Sequence, residues 1–277
     1  MTSFYFLAAL APARAICEDH RRSSPAIIQS TIPQTPFGPE RVANVSYMML
    51  EIAAFNPHSA IAAAKSGAHR IELCADYAAG GVTPSLSALQ QVRKETSIPV
   101  NVMIRPRGGD FNYSDQEFQS MKQEVESLSS LATGFVFGIL DYTHRLDKSR
   151  NCELVDIASP LPCTFHRAID QVEDMEQAVE AVICCGFKSI LTSGGKSTAL
   201  EGAKKLHHLQ TRFGTRISLI AGGGVRSTNA EELSKRTGIE WLHSAAITQP
   251  GEDVDDEEVK RIQQVLATFQ HEQGSMC

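Results

Sequence analysis

The sequence predicts an α/β protein: a single-domain (β/α)8 TIM barrel, formed by residues 47–277, with a poorly ordered N-terminal extension, residues 1–46. From Tyr47 onward, a short apolar run of β-forming residues followed by a helical stretch recurs eight times, as expected for parallel strands joined by crossover helices. Eight such units in about 230 residues match the size of a closed barrel, whereas doubly wound sheets usually have fewer strands. The first 46 residues contain five prolines and no sustained period, which predicts poor order.

Each of the eight units opens with a predicted strand. The strands are predicted at residues 48–53, 70–74, 100–104, 135–139, 163–165, 189–191, 217–221 and 240–243. The stretches between them carry helix start signals. Ser114 and Glu117, for example, have the spacing of a capping box, in which each side chain bonds to the other residue's backbone amide. Because TIM barrels carry their chemistry at the carboxyl ends of the strands, polar residues at those ends are the functional candidates.

Charge and hydropathy argue against two classes of partner. The chain has 32 acidic and 26 basic residues, a net charge of -6, without a concentrated basic stretch, so nucleic acid is not an expected partner. No apolar run reaches the roughly 20 residues that a membrane-spanning helix needs, so no membrane association is expected.

The cysteines predict reduced thiols in a cytoplasmic protein. They form an odd set without CxxC spacing, in a chain large enough to bury its own core. They are Cys17, Cys74, Cys152, Cys163, Cys184, Cys185 and Cys277. A targeting role for the apolar stretch at residues 4–15 is the alternative, although no Lys or Arg precedes it, as a signal peptide requires.

The second unit places a carboxylate and a thiol at the predicted mouth of the barrel. Side chains alternate along a strand, so Glu72 and Cys74 share one face while Ile71 and Leu73 share the other. A buried carboxylate without a partner is costly, which favours a catalytic role for Glu72. A salt bridge between Glu72 and Arg105 is the structural alternative.

The third unit places two arginines at the end of its strand. Pro106 ends the strand, and Arg105 and Arg107 stand at its exit, with glycines behind them. Guanidinium groups bind carboxylates and phosphates well. Both arginines are therefore predicted to bind an anionic ligand.

The fourth and fifth units supply candidates for acid–base chemistry. At the end of the fifth strand, His166 is a candidate catalytic residue, and Arg167 and Asp170 are candidate ligand-binding residues. Strand alternation predicts that only one of His166 and Arg167 points inward. Asp141 follows the fourth strand and is a further catalytic candidate, suited equally to orienting an arginine and to taking a proton.

The seventh and eighth units offer a site for phosphate. Gly223 and Gly224 follow the seventh strand, and Ser244 follows the eighth. In TIM barrels, the loops after these two strands often bind phosphate through backbone N–H groups. The three residues are therefore predicted to bind a ligand.

Taken in order, these segments resemble the CutC copper-homeostasis family. The resemblance rests on RIELC at residues 70–74, GGVTPS at 80–85, VMIRPRGGDF at 102–111, TFHRA at 164–168, LTSG at 191–194 and GGG at 222–224. Strings of this length are improbable chance matches. The resemblance implies a (β/α)8 barrel, a cytoplasmic protein that forms a homodimer, and a role in handling copper as Cu(I).

The resemblance also implies that Cys74 is a copper ligand. Cu(I) prefers thiolate and thioether ligands, and family members proposed to bind it have one cysteine in the first strand and one in the second. Cys74 matches the second position, whereas the first is Ala53 in this sequence. A site with two sulfur ligands therefore requires Met49, Met103 or another cysteine.

Two functions are consistent with these observations. The first is copper homeostasis through Cu(I) binding in the cytoplasm, which rests on the resemblance. The second is an isomerase, aldolase or lyase that acts on a small anionic or phosphorylated metabolite. In this second function the arginines would hold the anion, and Glu72 or His166 would move a proton.

Overall fold

The structure, a computed structural model, describes residues 48–275, with side chains as far as residue 268. The extension predicted at residues 1–46 lies outside the described residues, and so do Cys17 and Cys277. Its poor order therefore stays a prediction, as does the boundary at residue 47.

Eight parallel strands form a closed barrel in chain order, and β8 pairs with β1. The strands are β1 (Met49–Ala54), β2 (Arg70–Leu73), β3 (Val100–Met103), β4 (Gly134–Phe137), β5 (Cys163–Phe165), β6 (Ser189–Thr192), β7 (Ser218–Gly222) and β8 (Trp241–Ser244). A helix follows every strand, and a 3-10 turn, Arg167–Gln171, also follows β5. The helices are α1 (Pro57–Lys65), α2 (Leu86–Glu95), α3 (Asp115–Leu128), α4 (Lys148–Ala158), α5 (Met175–Cys185), α6 (Ala203–Phe213), α7 (Ala230–Thr237) and α8 (Asp256–Ser275). The predicted TIM barrel is confirmed.

The predicted strands agree with the observed ones to within two residues at each end. The largest difference is at β4, which ends at Phe137 and not at residue 139. The backbone N–H and C=O of Ile139 bond instead to the side chain of Asn151, at 3.1 and 2.8 Å. A side chain of α4 thus replaces a neighbouring strand as the partner of this backbone.

The barrel separates an apolar outer layer from a polar interior. Leu50 and Ile52 of β1 and Phe135 of β4 are fully buried in the large core between sheet and helices. Side chains of the opposite parity point into the barrel, where Glu51 and Glu72 are almost completely buried. Because successive side chains of a strand point to opposite faces, the same strands supply both the core and the candidate site.

Local signals in the sequence account for the helix starts. Ser114 accepts a hydrogen bond from the backbone of Glu117, whose side chain accepts one from the Ser114 amide. The predicted capping box is confirmed, and it fixes the first turn of α3.

Two cysteines form a disulfide between neighbouring helices. Cys152 of α4 and Cys185 of α5 are bonded to each other, because the packing of these two helices brings their sulfur atoms together. The expectation of reduced thiols throughout is wrong for this pair. Cys74 and Cys163 are free and buried, and Cys184 is free and exposed.

Among the helices of residues 48–275, none combines the length and apolar character needed to cross a membrane.

We expect Asn151→Leu to lower the free energy of unfolding by about 1–3 kcal/mol, because it leaves the buried N–H of Ile139 without a partner. The C=O of Ile139 keeps its hydrogen bond from the Asp147 amide. Urea denaturation of the variant measures this loss. Glu153→Ala is the matched control on the same helix: it removes only a surface ion pair with Lys122 and should cost less than about 1 kcal/mol. Equal losses in the two variants would contradict this account of the Ile139 backbone.

Candidate functional site

A cavity of about 390 Å³ opens at the carboxyl end of the barrel. Most of the predicted site residues line it. These are Glu72, Cys74, Arg105, His166, Arg167, Gly223, Gly224 and Ser244. Arg107, Asp141 and Asp170 are not among its lining residues, so the structure gathers eight of the eleven candidates around one space.

Glu72 lies on the inner face of β2 and is 3% exposed. Its Oε2 accepts a hydrogen bond from the Cys74 thiol at 3.6 Å and lies 3.7 Å from Nε2 of His243, while its Oε1 has no partner. Burial raises the pKa of Glu72 to about 6, against the opposing charge of His243. The salt bridge with Arg105 that the sequence left open is not formed.

Cys74 follows β2 and lies in a small apolar cluster within the barrel. Met103 and Val136 share this cluster, and Phe55 packs against it. Burial, and then the charge of Glu72, raise the pKa of the Cys74 thiol well above its usual value. The thiol is therefore protonated at neutral pH, and a metal ion would have to displace its proton.

Arg105 holds two loops of the cavity mouth together. Its Nη1 donates to the carbonyl oxygens of Ala79 and Gly81, both at 3.0 Å, and its Nη2 donates to that of Gly109 at 2.9 Å. Its Nε is buried without a partner. Most of the donors of this guanidinium are thus already used by the protein itself.

Arg107 is directed away from the cavity. Its Nε pairs with Glu117 at 2.6 Å and its Nη2 with Asp110 at 2.9 Å. A clamp in which Arg105 and Arg107 together bind an anion is therefore not formed, since carboxylates of the surface already occupy one of the two guanidinium groups.

His166 is buried and presents one nitrogen without a partner. Its Nδ1 accepts a hydrogen bond from the amide of Ala168 at 3.3 Å, which leaves the proton of the neutral ring on Nε2. Nε2 itself has no partner. Burial, and then the charge of Arg105, lower the pKa of His166 to about 3. Its ring occupies the space beside Gly138, where an added Cβ would lie 2.8 Å from Nδ1.

Both His166 and Arg167 line the cavity, so the prediction that only one of them points inward is wrong. β5 ends at Phe165, and a 3-10 turn begins at Arg167. The alternation of a strand therefore does not extend to this pair of residues.

Asp170 and Asp141 organise loops. Asp170 accepts hydrogen bonds from the hydroxyl of Thr192 at 2.6 Å and from that of Ser193 at 3.0 Å, and it pairs with Arg167. Asp141 accepts from the amide and hydroxyl of Thr143. These carboxylates bond to protein groups in the structure, and their predicted functional roles stay predictions.

The loop after β7 lines the cavity with backbone atoms, because two of its residues are glycines. Gly223 and Gly224 have φ values of 110° and 72°, which side chains disfavour. A Cβ at Gly223 would lie 3.3–3.4 Å from Ser193 and Arg167. Ser244 donates to the carbonyl of Val225 at 2.7 Å, so its hydroxyl joins the loops that follow β7 and β8.

Two residues that line or support the cavity, Glu51 and His243, were not among the predicted site residues. Nδ1 of His243 and Oε1 of Glu51 are 2.8 Å apart, and Glu51 also pairs with Arg70. Burial raises the pKa of Glu51, but Arg70 and His243 outweigh it and hold that pKa below its usual value. A polar residue between outward apolar neighbours, the signal that identified Glu72, was present in Leu50-Glu51-Ile52 as well.

We expect His166 to make the protein less stable as the pH falls from 6.5 toward 3. Over this range the unfolded chain protonates its histidine, with a pKa of 6.5, whereas the folded state does not until about pH 3. The group should remove about 1.4 kcal/mol from the free energy of unfolding per pH unit within this range. Urea denaturation at several pH values measures this slope. It should be shallower by that amount in His166→Asn, and an unchanged slope would contradict the expectation.

Comparison with known proteins identifies the family of the chain. The sequence pattern of the CutC family matches residues 48–248. The human copper homeostasis protein cutC homolog is 42% identical over 200 residues, which are 72% of this chain and 73% of the human protein. A CutC family protein of Mesorhizobium japonicum is 40% identical over 200 residues, which are 72% of this chain and 78% of the Mesorhizobium protein.

A crystal structure of a CutC protein from Streptococcus agalactiae has the same fold. It superimposes with a TM-score of 0.68 at 30% identity, and the superposition covers 72% of this chain and 98% of the Streptococcus chain. The agreement of sequence pattern, relatives and structure leads to one conclusion: the chain belongs to the CutC family.

Proposed function

We propose that this protein acts in copper homeostasis by binding Cu(I) in its barrel cavity. The observation that carries the proposal is the position of two sulfur side chains, Cys74 and Met103, in one small buried cluster at the cavity. Thiolate and thioether are the ligands that Cu(I) prefers. The names of the relatives connect the family with copper homeostasis.

Met103 is the best candidate to replace the cysteine that this chain lacks in its first strand. Ala53 lines the cavity and is paired in register with Glu72, so no sulfur is present there. Cys163 packs in the outer core, and Cys184 is exposed on α5. Met49 begins β1, paired with Trp241, and is not among the residues that line the cavity.

The surroundings of the two sulfur atoms suit a soft monovalent ion. Cys74 and Met103 are 3% and 6% exposed, and Val136 and Phe55 complete an apolar surface around them. Water competes little for an ion in such a place. Cu(I) bound there would displace the thiol proton, and the thiolate would offset its charge.

The enzyme alternative has less support. Arg105 and Arg107 bond to carbonyl and carboxylate oxygens of the protein, which leaves them poorly placed to hold a substrate anion. A cytoplasmic location and a homodimer belong to the proposal because the family resemblance implies them.

Anaerobic Cu(I) titration against a competing chelator tests the proposal. We expect one tightly bound Cu(I) in the wild type, its loss in Cys74→Ser, and about tenfold weaker binding in Met103→Leu, or about 1.4 kcal/mol. Cys184→Ser, at an exposed position, is the control and should bind as the wild type does. Affinity that survives Cys74→Ser would overturn the proposal.

Ala53→Cys should increase the affinity for Cu(I) by about tenfold or more, because it supplies a second thiol on the strand beside Cys74. The same chelator competition measures the change. Ala53→Ser, which adds a similar volume without sulfur, should leave the affinity unchanged. If serine and cysteine have the same effect, the cavity at Ala53 is not part of a copper site.

A further inference from the structure

A row of polar side chains crosses the interior of the barrel at β8, β1 and β2. Glu51 is paired in register with His243 on one side and with Arg70 on the other. Glu72 lies two residues beyond Arg70 on the same face of β2. Glu51, Glu72 and His243 are all buried, and each offers a ligand atom within 4.8 Å of those of the other two.

Glu51 fixes the orientation of the His243 ring. Its Oε1 lies 2.8 Å from Nδ1 of His243, and the Glu51 side chain is only 1% exposed. Nε2 of His243 therefore faces Glu72 and the cavity. A carboxylate behind one ring nitrogen, with the other nitrogen free for a metal, is the arrangement that orients metal-binding histidines in proteins.

Glu72 lies between two further donor atoms. Its Oε2 is 3.7 Å from Nε2 of His243, which is too long for a hydrogen bond, and 3.6 Å from Sγ of Cys74. Its Oε1 is buried and has no partner. The carboxylate thus has one oxygen between a nitrogen and a sulfur atom and a second oxygen that the protein leaves unused.

These distances match the spacing of ligands around a tetrahedral ion. With metal–nitrogen and metal–oxygen bonds of about 2.0–2.2 Å, two such ligands lie about 3.4 Å apart, and with a metal–sulfur bond of about 2.3 Å, a sulfur and an oxygen lie about 3.6 Å apart. The two distances from Oε2 of Glu72 are therefore close to those between ligands of a single ion.

We propose that Nε2 of His243, the carboxylate of Glu72 and the thiolate of Cys74 form a binding site for a borderline divalent cation of the Zn²⁺ class, with Glu51 as the positioning residue behind His243. Nitrogen, carboxylate oxygen and sulfur together are typical ligands of Zn²⁺. The fourth coordination position opens into the cavity, where water or a small ligand has access.

The charges of the surrounding groups are consistent with such an ion. Two carboxylates, Glu51 and Glu72, are buried in this row beside the guanidinium of Arg70 and the imidazole of His243. A divalent cation would displace a proton from that imidazole and offset the second carboxylate in its place. This site does not depend on the proposed Cu(I) site, with which it shares Cys74 alone.

Titration of the metal-free, reduced full-length chain with Zn²⁺ alone, against a chromophoric chelator, tests the site. We expect one tightly bound Zn²⁺ in the wild type and a loss of more than a hundredfold in affinity in His243→Gln. Glu51→Gln keeps all three ligands and should weaken binding roughly 10- to 100-fold. His208→Gln, at an exposed position of α6, is the control and should bind as the wild type does.

Circular dichroism of each variant without metal verifies that it folds. If His243→Gln fails to fold, the absorption spectrum of bound Co²⁺, used in place of Zn²⁺, tests the site in the wild type and in Cys74→Ser. The wild type should show a tetrahedral Co²⁺ spectrum with a thiolate charge-transfer band, and Cys74→Ser should lose that band. The proposal would be overturned if the wild type does not bind Zn²⁺, or if His243→Gln binds Zn²⁺ with the same affinity as the wild type. Copper is absent from the assay, so failure of the Cu(I) proposal leaves this result unaffected.

Discussion

Glu51 is buried where β8, β1 and β2 meet, and its carboxylate bonds to Arg70 on one side and to His243 on the other. Removing one partner from such a group leaves a buried charge uncompensated, at a cost of about 3–5 kcal/mol. The three strands therefore depend on this shared contact for their polar inner faces. The contact also turns Nε2 of His243 toward Glu72. Burial lowers the pKa of His243, but the charge of Glu72 and the hydrogen bond with Glu51 outweigh it and raise that pKa above its usual value.

The apolar outer layer of the barrel offsets the energetic cost of this polar interior. Phe135, Phe137 and Phe165 are fully buried between the sheet and the helices, where apolar burial contributes about 25 cal/mol per Å². Stability is thus supplied largely on one face of each strand, and the other face is left for polar groups. Both metal proposals use this second face: the soft pair, Cys74 and Met103, lies beside the harder donors Glu72 and His243, in one cavity.

The sequence was sufficient to predict the barrel, because its strands alternate and its helices have recognisable starts such as Ser114. It also identified Glu72 and Cys74, since period-two alternation places them on one face. It did not predict the partners of long side chains: Arg105 bonds to loop carbonyls and Arg107 to Glu117, geometries that depend on loop conformation. Nor did it find the contact between Glu51 and His243, which joins residues 192 positions apart, because local periodicity carries no information about which inward residues meet.

Gly138 limits how the wall of this cavity can change at His166. The ring of His166 fills the space that a side chain there would need, and Phe165 closes the same space at 2.9 Å. Any larger residue at position 138 must displace the imidazole or push β4 away from β5. A side chain at position 138 therefore requires both a smaller residue at position 166 and a shift of the Phe165 ring, so the buried histidine and the glycine beside it depend on each other.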